Sequence, residues 1–133
     1  MAGQSRGHQW PIRFLFSALV LLPALLLPAI ASGQEKVSFD RQIRSILSNN
    51  CYQCHGPDEK ARQADLRLDL EQGMFADRDL ATVKPGDRSG SELFQRISSD
   101  DADIQMPPPD SGKTLSKDQV ELIGRWIDEG AGW

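Results

Sequence analysis

The apolar and polar positions of this chain fall into several distinct rhythms. Residues 14–30 (FLFSALVLLPALLLPAI) are apolar apart from Ser17. From residue 37 the spacing becomes helical. Phe39, Ile43, Ile46 and Leu47 fall on one face of residues 37–50, which predicts a short amphipathic helix. Ser38 is placed to cap it, with Asp40 favourable in the first turn. Residues 64–70 (ADLRLDL) alternate instead, a period of two, which predicts a short extended piece with Leu66, Leu68 and Leu70 inward. A helical turn at residues 71–75 would bury Met74 and Phe75, and residues 83–87 (VKPGD) form a turn. A short helix follows, capped by Ser91, with Leu93, Phe94 and Ile97 on one side. Ser89 and Glu92 offer a capping box one turn earlier.

The clearest helix is the last. Ser116 and Gln119 have capping-box spacing, and Leu115 and Val120 are placed as a hydrophobic staple. Val120, Ile123 and Ile127 form an apolar stripe beside Trp126, and Gly130 sits where a helix terminates. Gly124 lies mid-helix, at a cost of roughly 1 kcal/mol against alanine, and predicts a close crossing with the first helix. Between these last two helices lie an acidic loop (residues 98–103, SSDDAD), expected to be solvated surface, and the stiff segment Met106-Pro107-Pro108-Pro109.

At 133 residues there is room for one domain. Its boundaries follow from the opening stretch. Arg6, His8 and Arg13 precede the apolar run, and Ala29-Ile30-Ala31 is a small-x-small cleavage pattern. Residues 1–31 therefore read as an export signal, or as a membrane anchor if uncleaved; Pro23 and Pro28 favour the signal. Residues 32–36 are a short linker and residues 37–133 the domain. The chain is expected in the periplasm or another extracytoplasmic space. Its only membrane association would run through the N-terminal segment.

The full chain carries 15 basic and 19 acidic residues. Losing residues 1–31 removes Arg6 and Arg13 and leaves 13 basic residues against 19 acidic, net −6. There is no basic stripe of the kind nucleic acid requires. An acidic surface suits a redox partner with a basic docking face. The oligomeric state is open.

Cys51-Tyr52-Gln53-Cys54-His55 carries the chemistry. Two thiols three residues apart, with an imidazole behind the second, match the attachment pattern of c-type haem. Residues i and i+3 share a helical face, so both sulfurs can reach one haem edge, and the next residue sets its ring under the iron. Taken alone the pattern is also that of a zinc half-site or a redox dithiol. The remaining composition bears on both. Cys51 and Cys54 are the only cysteines, and His55 is the only histidine after residue 31. A tetrahedral zinc site would need a carboxylate as fourth ligand. A dithiol oxidoreductase would need a thioredoxin-like βαβ pattern, which the sequence lacks.

A second axial ligand could come from Met106, Met74 or, less usually, a lysine. Met74 reads as a core gap-filler beside Phe75. Met106 sits in a proline-stiffened loop with no packing reason to be there, and is the preferred candidate; otherwise it plugs the haem face without a bond.

In order, these residues are CYQCHGP, LRLD, VKPGD, SELFQRI, MPPP and LSKDQVELIGRWIDEGAGW. The set resembles the planctomycete-type cytochrome c domain, within the wider class I cytochrome c fold, over residues 37–133. The resemblance implies an all-α fold around one covalent haem c, attached at Cys51 and Cys54, with His55 proximal. The wider class implies Met106 as distal ligand. Such domains are similar to N-terminal modules of much larger secreted proteins, so either a free-standing carrier or a module of a longer chain is expected. The functions in play are single-electron transfer without a substrate, and a haem peroxidase or ligand sensor with a labile sixth position.

Overall fold

Ser38 opens the first helix. Its backbone is extended (φ −90°, ψ 123°), its Oγ accepts the Arg41 N–H at 3.4 Å, and its own N–H donates to Gln42 Oε1 at 2.9 Å. The first turn differs from expectation. Phe39–Ile43 is π-helical, with the Arg44 N–H bonding the Phe39 carbonyl five residues back, and the α-helix proper (α1) is Arg44–Asn50. The sequence pattern does not register this widening, because Phe39, Ile43, Ile46 and Leu47 remain on one buried face.

The structure is a computed structural model and describes residues 3, 35–76 and 80–133. The chain divides into two units, residues 1–32 and 33–133, and all the helices described belong to the second. The export-signal reading of residues 1–31 lies outside the described residues, Gly3 apart, as does the start of the linker. Among the described residues no helix is long and apolar enough to cross a membrane. These residues are helical and contain no strand. After α1 come α2 (Glu71–Met74), α3 (Glu92–Ile97), a 3₁₀ turn (Pro109–Ser111) and α4 (Lys117–Asp128).

The ends of the domain meet in the core. Phe39 stacks on Trp133 with ring centroids 3.9 Å apart and lies 5.6 Å from Trp126. Trp126 is fully buried, and its Nε1–H donates to the Gly132 carbonyl at 2.9 Å. Ile43 and Leu47 of the first helix, Leu93 and Ile97 of α3, and Ile123 and Ile127 of α4 complete the centre with Leu68 and Met74.

Both ends of α4 are built as the sequence predicts. Ser116 and Gln119 exchange hydrogen bonds at 3.2 and 2.9 Å. At the other end Ala131 N–H reaches the Trp126 carbonyl (2.8 Å) and Gly130 N–H reaches Ile127 (3.0 Å), a Schellman closure. Gly124 corrects an expectation. A Cβ there would stand 2.6 Å from Phe94 Cε2 and 2.8 Å from Arg88 Nη1. The close neighbours of Gly124 are therefore α3 and the turn before it, not the first helix.

Two further local expectations are revised. Residues 64–70 form no strand. Ala64 and Asp65 are left-handed (φ 55° and 47°), and the Leu66 and Leu68 N–H groups bond the Gln63 and His55 carbonyls (3.1 and 2.9 Å). The alternation has another cause: Leu66 and Leu68 line a cavity, Arg67 and Asp69 pair with each other, and Leu70 is 43 % exposed rather than inward.

The second revision concerns the start of α3. Ser89 and Glu92 make no capping box; Ser89 Oγ instead donates to Asp87 Oδ1 at 2.7 Å. Ser91 holds the N-cap position, but its buried hydroxyl accepts the Lys84 N–H and donates to the Asp87 carbonyl, both at 2.8 Å.

Asp87 organises this turn. Hydrogen bonds from Lys84 Nζ, Ser89 Oγ and the Gly90 N–H hold its carboxyl well below the usual carboxylate range. A depressed folded pKa means stability that is present above the ordinary value of 3.8 and lost as pH falls through the folded value. Asp87→Ala is therefore expected to lower stability most at neutral pH, with the gap to the parent closing in acid. Denaturant titrations between pH 7 and 2 check this, and a gap of constant size would contradict it.

Candidate haem site

α1 delivers the chain directly into the Cys51–His55 turn. The Cys51 N–H closes on the Leu47 carbonyl at 2.7 Å. The Cys51 carbonyl then accepts from both Cys54 N–H (3.1 Å) and His55 N–H (2.8 Å). The turn is thus fixed by its own backbone, with the two cysteines at i and i+3 and the imidazole next. Both cysteines are free thiols, Cys51 partly buried and Cys54 exposed. Gly56 is required where it stands, because a Cβ would run into the Tyr52 carbonyl.

The loop that follows returns to hold the imidazole. Gln63 N–H bonds the Cys54 carbonyl (2.8 Å) and Leu68 N–H bonds the His55 carbonyl (2.9 Å). The Gln63 carbonyl lies 3.3 Å from His55 Nδ1. A carbonyl can only accept, so Nδ1 carries the proton and Nε2 keeps its lone pair. Burial lowers the His55 pKa, the Gln63 carbonyl opposes that, and the Arg96 charge lowers it further; the net direction is down. The ring is therefore neutral near pH 7, the form that ligates a metal. Arg62 braces the same loop, donating to the Gly56 and Pro57 carbonyls at 3.1 Å each.

The facing wall comes from α3 and the proline segment. Leu93 and Ile97 present apolar surface, and Glu92 and Arg96 flank them. Met106 is partly buried, its N–H bonds the Arg96 carbonyl at 3.0 Å, and its peptide bond to Pro107 is cis. The loop before it, residues 98–104, is mostly exposed, as its charge predicts.

All four residues singled out in the sequence (Cys51, Cys54, His55 and Met106) line one cavity of about 240 Å³. Met74 does not; it is fully buried in the core. Leu66, Leu68, Leu93, Ile97, Pro107 and Pro108 make the cavity walls largely apolar. Sequence reasoning missed Gln63, Arg62 and Arg96. Gln63 acts through a backbone carbonyl, which every residue has, so no side-chain signal could have marked it. For Arg96 the one available signal was its i, i+4 spacing from Glu92.

The electrostatics separate the chemistries that the five-residue pattern leaves open. Burial, with the Cys54 thiol adding to it, pushes Cys51 up to about 11. A catalytic dithiol needs the opposite, a thiol lowered toward neutrality. Among the described residues no three of His, Cys, Asp and Glu converge closely enough to hold a bare metal ion. A planar macrocycle asks for something different: thiols at its edge, a neutral imidazole held by its far nitrogen, a soft thioether and apolar walls. The residues present fit that group.

A small helical domain with this donor set is compatible with the c-type cytochrome class. Residues 51–110 match the family model described as Planctomycete cytochrome C. The matched stretch runs from the first cysteine through the proline segment; α1 and α4 flank it. No curated protein and no solved structure gives a match. The match points to haem binding and electron transfer.

Proposed function

We propose that this domain is a one-electron carrier holding a single haem c, tethered through Cys51 and Cys54, with His55 and Met106 as axial ligands. The observation that carries the reading is that these four side chains line one largely apolar cavity. Haem c supplies the Fe(III)/Fe(II) couple. The chain sets the terms on which that couple works. Cys51 and Cys54 would hold the group at its edge through thioether bonds. His55 would ligate through Nε2, and the Gln63 carbonyl, by holding Nδ1–H, fixes the ring and raises its basicity. The neutral thioether of Met106 would favour the ferrous state and raise the potential. Leu66, Leu68, Leu93 and Ile97 exclude water and disfavour the more charged ferric state.

In this reading the chain is exported, as residues 1–31 imply, and works outside the cytoplasmic membrane. It exchanges electrons with a redox protein whose docking face is basic, matching the acidic excess. It has no substrate of its own. The distinguishing test is a ferric spectrum followed by carbon monoxide mixing after reduction. A low-spin spectrum, reversible reduction and slow carbon monoxide uptake are expected. High-spin features with immediate uptake would favour a peroxidase or ligand-sensing role.

A further inference from the structure

The segment that presents Met106 is held to α3 largely by one residue. The Arg96 carbonyl accepts the Met106 N–H at 3.0 Å, and Arg96 Nη1 donates to the Ile104 carbonyl at 3.4 Å. The guanidinium is itself fixed. Nε and Nη2 both engage Glu92 Oε1, at 2.8 and 2.7 Å, one helical turn back. That leaves Nη1 pointing at the loop. The Ser99 N–H also reaches the Arg96 carbonyl, at 3.4 Å, whereas the bonds from Ile104 and Gln105 to the Asp101 carbonyl and from Asp103 to Asp101 Oδ1 are internal to the loop. Glu92, Arg96 and Met106 all line the same cavity.

We propose that Arg96, locked by Glu92, is a positioning residue for Met106 and sets how far the thioether reaches into the cavity. The inference rests on the His55/Met106 reading above. The geometry needs a planar fork. Arginine engages the carboxylate with one side of its guanidinium and the Ile104 carbonyl with the other, whereas a lysine ammonium has no second arm fixed in that direction. Charge alone is therefore not enough.

The test uses exported, haem-loaded protein in five forms: parent, Arg96→Ala, Arg96→Lys, Glu92→Ala and Met106→Ala. Haem per chain, the weak far-red sulfur–iron charge-transfer band and the carbon monoxide association rate of the reduced protein are measured in each. Arg96→Ala is expected to keep its covalent haem but to take up carbon monoxide about tenfold faster, the size of effect that losing one hydrogen bond allows. Arg96→Lys should behave like Arg96→Ala, and Glu92→Ala should shift in the same direction. Parent-like kinetics in Arg96→Ala, or full rescue by lysine, overturns the inference while leaving the ligand assignment intact. If Arg96→Ala fails to accumulate, Glu92→Ala and Arg96→Lys decide it by the same criterion. Unchanged band and kinetics in Met106→Ala would instead fail the ligand assignment, and this inference with it.

Discussion

Exported Cys51→Ala/Cys54→Ala protein is expected to carry no covalent haem and to lose most of its folding stability. The first outcome follows from chemistry, since no other cysteine exists to form a thioether. The second follows from size. The cavity lined by Cys51, Cys54, His55 and Met106 measures about 240 Å³. Its walls are largely apolar and partly open to solvent, so leaving it unfilled exposes Leu66, Leu68, Leu93 and Ile97 to water. That loss weighs heavily against the whole stability of a small domain, about 5–15 kcal/mol. Each single variant should retain one thioether and an intermediate stability. Acid–acetone extraction separates the cases, and thermal unfolding followed by circular dichroism reads the stability. A double variant that melts with the parent would mean that the porphyrin is not part of the core.

Met106→Ala is expected to abolish the far-red sulfur–iron band and to lower the reduction potential. Axial ligands tune haem potentials over about 0.8 V, so exchanging a thioether for water or a nitrogen donor should move the potential by a sizeable fraction of that span. The haem stays attached, because Cys51 and Cys54 are untouched. Spectropotentiometry of the parent and the variant gives both readouts on one sample. Met74→Ala is the control. Met74 is fully buried and lies outside the cavity lining, so its loss should cost stability, about 2–5 kcal/mol, without removing the band. A band that survives in Met106→Ala and disappears in Met74→Ala would reverse the assignment.

The Cys51–His55 turn was legible in the sequence because its chemistry is local: three side chains, Cys51, Cys54 and His55, within five positions. The last helix was legible for a similar reason. Ser116, Gln119, Ile123, Trp126, Ile127 and Gly130 encode its start, face and end within fifteen positions. What stayed hidden depends on backbone groups or on distant partners. The Gln63 carbonyl under His55 has no side-chain signature. The π-helical turn at Phe39–Ile43 leaves the buried face unchanged, so periodicity cannot detect it. Residues 64–70 do alternate, but a strand needs a partner, and here Leu66 and Leu68 turn inward to a cavity wall instead. Gly124 was correctly read as a close approach and wrongly matched, because spacing reveals that something must come near and not which element does.

The central claim is that the haem is bonded to this polypeptide at Cys51 and Cys54. A pyridine haemochrome spectrum of the exported parent chain, taken after acid–acetone extraction, tests it most directly. A reduced haemochrome spectrum of the thioether type is expected, with the chromophore retained on the protein at one haem per chain. A colourless polypeptide, with all the haem in the acetone, would contradict it.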